Sequence, residues 1–326
     1  MENIRAKKLN IAFFGTPDFA AHQLKHLHDE GFNIVVVVTT PDRKQGRGKK
    51  LKACAVKEQA LELELPILEP QNLKSPEFLY ELDRYNIDLQ IIVAFRMLPE
   101  VVWSKPKYGT INLHGSYLPN YRGAAPINWA IINNESFTGV STFVLKHEID
   151  SGAVLMREKH PILESDTFGT MYYKLMEAGA PLLVKSIEAY INDNLQPKEQ
   201  SELEEPGFIS QKAPKLNSET GNIDWNKDAK TVFKLIKGLS PVPSAYTMVL
   251  NADKKVLKLK IIDAELSETK TSETPGHIST TIDKQITIQC LDSVIVIKRL
   301  QLEGKKAMEA KDFLNGIAID SYKIVK

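Results

Sequence analysis

The chain has 326 residues and a mass of 36.6 kDa, with 43% hydrophobic and 25% charged residues, a composition that excludes a disordered or fibrous chain. At roughly 150 residues per domain this length suggests about two domains. The net charge of +1 excludes only gross polarity.

The charge is unevenly spread. Residues 1–50 hold nine basic and five acidic side chains, 51–208 hold fourteen and twenty-two, and 209–326 hold nineteen and fourteen. An acidic middle between basic ends suggests separate surfaces for separate partners. The longest apolar stretches, 34–38 and 91–95, are strand-sized and far short of the ~20 residues that span a bilayer. Residues 9–14 are too short for the apolar core of a signal peptide. Cys54 and Cys290 lie far apart and suggest neither a disulfide framework nor a metal knuckle. A cytoplasmic, reduced protein that works away from membranes and as a monomer is expected.

In chain order, residues 9–14 read as a strand ended by Gly15-Thr16-Pro17-Asp18. Pro17 suits a helix start and Asp18 suits its first-turn dipole. Phe19, Ala20, Leu24 and Leu27 then recur at helical spacing up to Gly31. Residues 34–39 are β-branched and apolar, the pattern of a strand buried on both faces. Helices are predicted near 53–63 and 76–84, and strands at 89–95 and 110–114. This alternation predicts an α/β domain with a doubly wound, mostly parallel, Rossmann-like sheet. Residues 192–214 are polar, hold three prolines and lack periodicity, so they read as a linker. Beyond it, one short helix at 231–237 and β-branched runs at 256–262, 285–291 and 294–300 predict a small β-barrel. The expected division is 1–191 for the α/β domain, 192–214 for the linker and 215–326 for an OB-like β-barrel.

Open α/β sheets bind ligands beyond the carboxyl ends of their strands. Gly15-Thr16-Pro17 lies there but lacks G-x-G-x-x-G, and Pro17 removes an amide a pyrophosphate would use, which disfavours a dinucleotide oxidoreductase. Asn112 and His114 share one face of a strand because side chains alternate. An amide donor beside an imidazole suits acyl transfer, one holding a developing oxyanion and the other handling protons. The alternative is two polar residues satisfied by backbone at a strand end. Asp150, in Asp150-Ser151-Gly152, is either a turn former or the carboxylate that orients His114. No serine or cysteine sits in a nucleophile elbow, so a covalent intermediate is disfavoured. His22, His26 and His28 read as surface residues of the first helix, and no metal is assigned. A basic loop after the second strand carries Arg43, Lys44, Arg47, Lys49, Lys50, Lys52 and Lys57, with Gly46 and Gly48 loosening it. It is either a solvated loop or a phosphate-binding one.

Five segments together resemble the methionyl-tRNA formyltransferase family, within the wider folate-dependent formyltransferases. They are FFGTPDFA (13–20), TTPDRKQGRGKKLKACAVK (39–57), NLHGSYLPNYRGAAPINWAI (112–131), HEIDSG (147–152) and IDWNKDAKTVFKLIKGLSPVPSAY (223–246). The resemblance runs essentially end to end. It implies transfer of a formyl group from 10-formyltetrahydrofolate to the amino group of methionine on initiator tRNA, in support of translation initiation. It implies catalytic roles for Asn112, His114 and Asp150. It places folate at Ser116, Tyr117, Leu118 and Pro119 and along Phe95, Met97 and Leu98. It gives tRNA to Arg43, Arg47, Lys49 and Lys50 and to the basic second domain. The sequence departs from the family's pattern in Tyr117, where Leu is more usual, and in Phe95-Arg96-Met97, where Tyr-Gly is commoner. Formyltransferases of sugar or ribonucleotide amines and formyl-folate hydrolases would share Asn112, His114 and Asp150, though they would not need the Gly-Arg-Gly loop. A non-catalytic RNA-binding descendant is the remaining reading.

Overall fold

A computed structural model of the chain describes residues 4–45, 50–148, 150–204 and 210–325. They form two compact units. One comprises 1–123, 138–160 and 172–212, and the other 124–137, 161–171 and 213–326. The grouping therefore differs from a single cut at 192–214, because two short stretches within 1–191 join the second unit.

The first unit is built on a seven-stranded sheet in the order Val154–Pro161, Phe137–Val144, Thr110–His114, Leu89–Val93, Ile11–Gly15, Ile34–Val38 and Ile67–Leu68. The last five of these pair in parallel, and Phe137–Val144 runs antiparallel to Thr110–His114. This is the doubly wound, mostly parallel sheet expected. The chain starts at Ile11–Gly15, moves outward through Ile34–Val38, then returns to Leu89–Val93 on the other side, so the order reverses between central strands. Ligand crevices form at such reversals.

The central strand Ile11–Gly15 is wholly buried. Gly15 is required there, because a Cβ would stand 2.6 Å from that of Ala20 on the following helix. That helix, Asp18–Asp29, buries Phe19, Ala20, Leu24 and Leu27, the apolar stripe that the sequence spacing predicts. It also buries Gln23, whose amide donates to the Met176 carbonyl at 2.8 Å. Tyr172 Oη donates to Asp18 at 2.6 Å and accepts from the Phe19 amide, so the helix start is tied down. Predicted helices at 53–63 and 76–84 are Ala55–Glu62 and Pro76–Asp83, the latter capped by Ser75 Oγ accepting from the Phe78 amide. His22, His26 and His28 are half-buried rather than on the open surface, with His22 facing Glu177 at 3.6 Å.

Helix Phe168–Ile191, 24 residues long, has no counterpart among the predicted elements. Pro181 inside it and Gly169 and Gly179 break the periodic signal. Gly179 lets it press on the sheet, since a Cβ would stand 2.8 Å from Leu113 Cδ2. Leu113 lies between Asn112 and His114, so this contact backs the strand that carries both. Among the described residues no helix is long and apolar enough to cross a membrane.

The second unit carries a small antiparallel β-barrel in the order Ile278–Thr280, Ile286–Gln289, Val294–Leu302, Val256–Leu266, Ala245–Leu250 and Lys323–Val325, with Met308–Glu309 pairing on Val294–Leu302. Register shifts around Asp263 in Val256–Leu266 supply the curvature that closing a barrel needs. Helix Ala229–Leu239, capped by Asp228 accepting from the Thr231 amide at 2.8 Å, puts Val232, Phe233 and Ile236 into its core. Cys290 is part of that core, and burial pushes its thiol pKa up to about 12, which leaves it unreactive.

Candidate active site

Strand Thr110–His114 ends the parallel part of the sheet and points its carboxyl end into the crevice. Register pairs Asn112 with Ile92 on one side and Phe143 on the other, and His114 with Ser141. Ile111 and Leu113 are buried on the opposite face, which leaves Asn112 and His114 on the same face. His114 is 7% exposed, while Asn112 is half-buried and its side chain has no hydrogen-bond partner among the described residues. Its carboxamide is therefore available to a ligand.

The imidazole is fixed by backbone. His114 Nε2 lies 3.0 Å from the Tyr121 carbonyl, which can only accept, so Nε2 carries the proton. Nδ1 then faces Asp150, with Oδ2 at 3.9 Å. That gap exceeds a direct hydrogen bond. The Asp150 carboxylate is instead anchored by the Gly123 amide, which donates to Oδ2 at 2.9 Å. Orientation of His114, expected from Asp150, comes from Tyr121, and Phe143 flanks the ring at 6.4 Å between centroids. Asp150 has φ +52° and Gly152 has no room for a side chain, since a Cβ would lie 1.8 Å from the Val144 carbonyl oxygen.

The turn after His114 is held by a buried hydroxyl relay. Ser116 Oγ donates to the Asn120 carbonyl at 2.6 Å, Ser141 Oγ donates to the Ser116 carbonyl, and the Leu118 amide donates to Ser141 Oγ. Arg157 donates to the Leu118 carbonyl at 2.6 Å and its guanidinium carbon sits 4.3 Å from the Tyr117 ring centroid. Tyr117 thus has a partner that Leu would lack. Tyr117→Leu should cost about 1 kcal/mol of stability, the worth of a partly exposed cation–π contact, with kcat kept. Chemical denaturation checks it, and an unchanged midpoint would discount the pair.

Phe95 meets Phe14 edge-on at 5.8 Å, and Arg96 donates to the carbonyls of Gln71 and Pro70. Burial, and then the charge of Arg43, pulls the Arg96 pKa below the usual guanidinium value. Met97 is 77% exposed and Leu98 buried. The segment is thus pinned by the Arg96 side chain, which a glycine in its place would not offer. A cleft of about 490 Å³ is lined by Trp103, Arg122, Leu145, His147, Glu148 and Gln200, next to Asp150.

Arg43 lies in a short ribbon, Arg43–Gln45 paired with Lys50–Lys52. Arg47 and Lys49 fall outside the described residues, and of Lys50 only the strand is described. Lys57 is not a free cation of this loop. Its ammonium contacts Asp42 at 2.8 Å and Glu69 at 2.9 Å, and the Asp42 bond, followed by Glu69, holds its pKa up. No group of three or more His, Cys, Asp or Glu side chains suited to a metal occurs among the described residues. Sequence reasoning missed Tyr121, Ser141, Arg157 and Gln200. Each acts through a fold contact that no spacing announces.

Comparison with known proteins gives two family matches, "Formyl transferase" over residues 8–187 and "Formyl transferase, C-terminal domain" over 215–318. A methionyl-tRNA formyltransferase of Bacteroides thetaiotaomicron is 41% identical over 98% of this chain and 100% of its own length. One from Phocaeicola vulgatus is 44% identical over 95% and 96%. Among solved structures, an N-formyltransferase from Helicobacter canadensis, in complex with folinic acid and dTDP-3-aminofucose, aligns with TM-score 0.63 at 20% identity, covering 89% of this chain and 98% of that one. HypX from Aquifex aeolicus, in complex with tetrahydrofolic acid, gives 0.63 at 19% over 94% and 47%. At these identities the solved structures speak for the fold alone. The two family matches and the near full-length relatives make this chain a member of the formyl transferase family.

Proposed function

We propose that the protein transfers the formyl group of 10-formyltetrahydrofolate to the α-amino group of methionine on initiator tRNA, in the cytoplasm, at the start of translation. The observation that carries the reaction is the unpartnered Asn112 carboxamide beside His114, on the strand end that Asp150 faces. Full-length relatives named methionyl-tRNA formyltransferase support the acceptor.

The neutral amine attacks the formyl carbon, a C–N bond forms and the carbonyl oxygen becomes an oxyanion. Asn112 donates to that oxyanion. With Nε2–H held by Tyr121, Nδ1 is the His114 nitrogen that faces the reactants. Nδ1 and the Asp150 carboxylate, 3.9 Å apart, bracket a space in which the amine's proton is passed on. The proton moves to N10 of the donor as its bond to the formyl carbon breaks, giving tetrahydrofolate and formylmethionyl-tRNA. Residues 116–119 and Phe95, Met97 and Leu98 border the donor in this reading. Residues 1–191 carry the chemistry in this reading. The Arg43, Arg47, Lys49 and Lys50 loop and the basic 215–326 barrel hold tRNA by phosphate and shape, and 192–214 joins the two parts.

Formyl transfer from 10-formyltetrahydrofolate to charged initiator Met-tRNA, with elongator Met-tRNA alongside, tests the reading. Formylation of the initiator alone supports it. Consumption of the folate with neither tRNA formylated would move the protein to a hydrolase or a small-amine formyltransferase.

A further inference from the structure

We infer that Gln200 is a positioning residue for catalysis: its side chain sets the Asp150–Gly152 turn and acts through Asp150 rather than on the reactants. The inference rests on the role of Asp150 proposed above. Gln200 is 3% exposed and lies in a short 3₁₀ turn, Gln200–Leu203, within the stretch that the sequence presents as a linker. Its Nε2 donates to the carbonyls of Asp150 at 2.7 Å and Gly152 at 2.9 Å, and its Oε1 accepts from Arg122 Nε at 2.7 Å. Two donors and one acceptor are thus used at once. A carboxylate could keep only the Arg122 bond, and an ammonium only the carbonyl bonds.

These bonds close a ring around Asp150. Its carbonyl is held by Gln200, Gln200 is held by Arg122, and the next residue, Gly123, donates its amide to Asp150 Oδ2. Backbone and carboxylate of the same residue are thereby fixed relative to each other. The turn needs such support, because Asp150 sits in the left-handed region at φ +52°, where side chains are disfavoured by roughly 1–2 kcal/mol. On its other side Gly152 is pressed against the Val144 carbonyl. The segment bearing Gln200 is itself anchored. Val154 and Lys198 exchange backbone hydrogen bonds of 2.7 and 2.9 Å, and Lys146 pairs with Glu199 at 2.5 Å.

A misplacement of about 1 Å at a reacting group can cost on the order of 100-fold in rate. Gln200→Ala in the full-length enzyme should therefore lower kcat by about 10- to 100-fold, with the KM for donor and for Met-tRNA each within about threefold. Gln200→Glu, nearly isosteric, should lose as much because both donors are gone. In an Asp150→Asn background, Gln200→Ala should change kcat by less than about threefold, since the residue it acts through is already disabled. An equal loss in both backgrounds, a rise in KM alone, or a fully active Gln200→Glu would overturn the inference. Should the wild type formylate another amine instead, the same cycle read on that amine still decides the role of Gln200.

Discussion

Asn112→Ala is expected to lower kcat by about 10²–10³-fold, the usual loss when one oxyanion donor is removed. Donor affinity, read by folate titration, should stay within about twofold, because in the proposed reading the donor is held by Phe95, Met97, Leu98 and residues 116–119 rather than by this amide. Stability should hold as well. The carboxamide has no partner among the described residues, so its removal orphans no buried group, and Ile92 and Phe143 keep the strand in register. Asn112→Asp keeps the size but sets a carboxylate against the developing negative charge, and should be at least as inactive. A kcat for Asn112→Ala near the wild-type value, with saturating donor and Met-tRNA, would remove Asn112 from the mechanism.

The parts of this site that the sequence discloses are those with a local signature. Strand Thr110–His114 shows its period-two pattern, so the shared face of Asn112 and His114 is readable from the order of residues alone. Helix Asp18–Asp29 shows its apolar stripe in the same way. The supports are non-local and leave no such trace. Tyr121 orients His114 through a carbonyl that every residue type owns. Gln200 reaches Asp150 from fifty residues away, in a stretch whose polarity and prolines signal a linker. Helix Phe168–Ile191 hides behind Pro181 and two glycines, one of which exists because Leu113 lies under it. The Lys57 ammonium looks like one more cation of a basic loop until Asp42 and Glu69 are seen to enclose it. Composition can place charge along the chain, but only the fold decides which charges are already paired.

Asp150→Asn isolates the charge of the carboxylate from its shape. Asparagine tolerates the left-handed backbone that φ +52° demands, and its amide oxygen can still accept from Gly123. Alanine would lose both, so a loss of rate in Asp150→Ala would mix geometry with chemistry. With the shape kept, the Asn variant lacks only the negative charge opposite His114 Nδ1 and the ability to take or return a proton. The expected fall in kcat is about 10²–10⁴-fold, the range for a positioned acid–base group. Rapid-quench transfer to Met-tRNA measures it directly, and retention of more than about a tenth of the wild-type rate would exclude the carboxylate from the proton path. The double variant Asn112→Ala with Asp150→Asn sharpens the result. If the oxyanion donor and the carboxylate serve one tetrahedral intermediate, their losses will combine to less than their product, because groups that act as a unit are not additive. Full multiplication of the two losses would instead show that the two side chains contribute independently to the rate-limiting transition state.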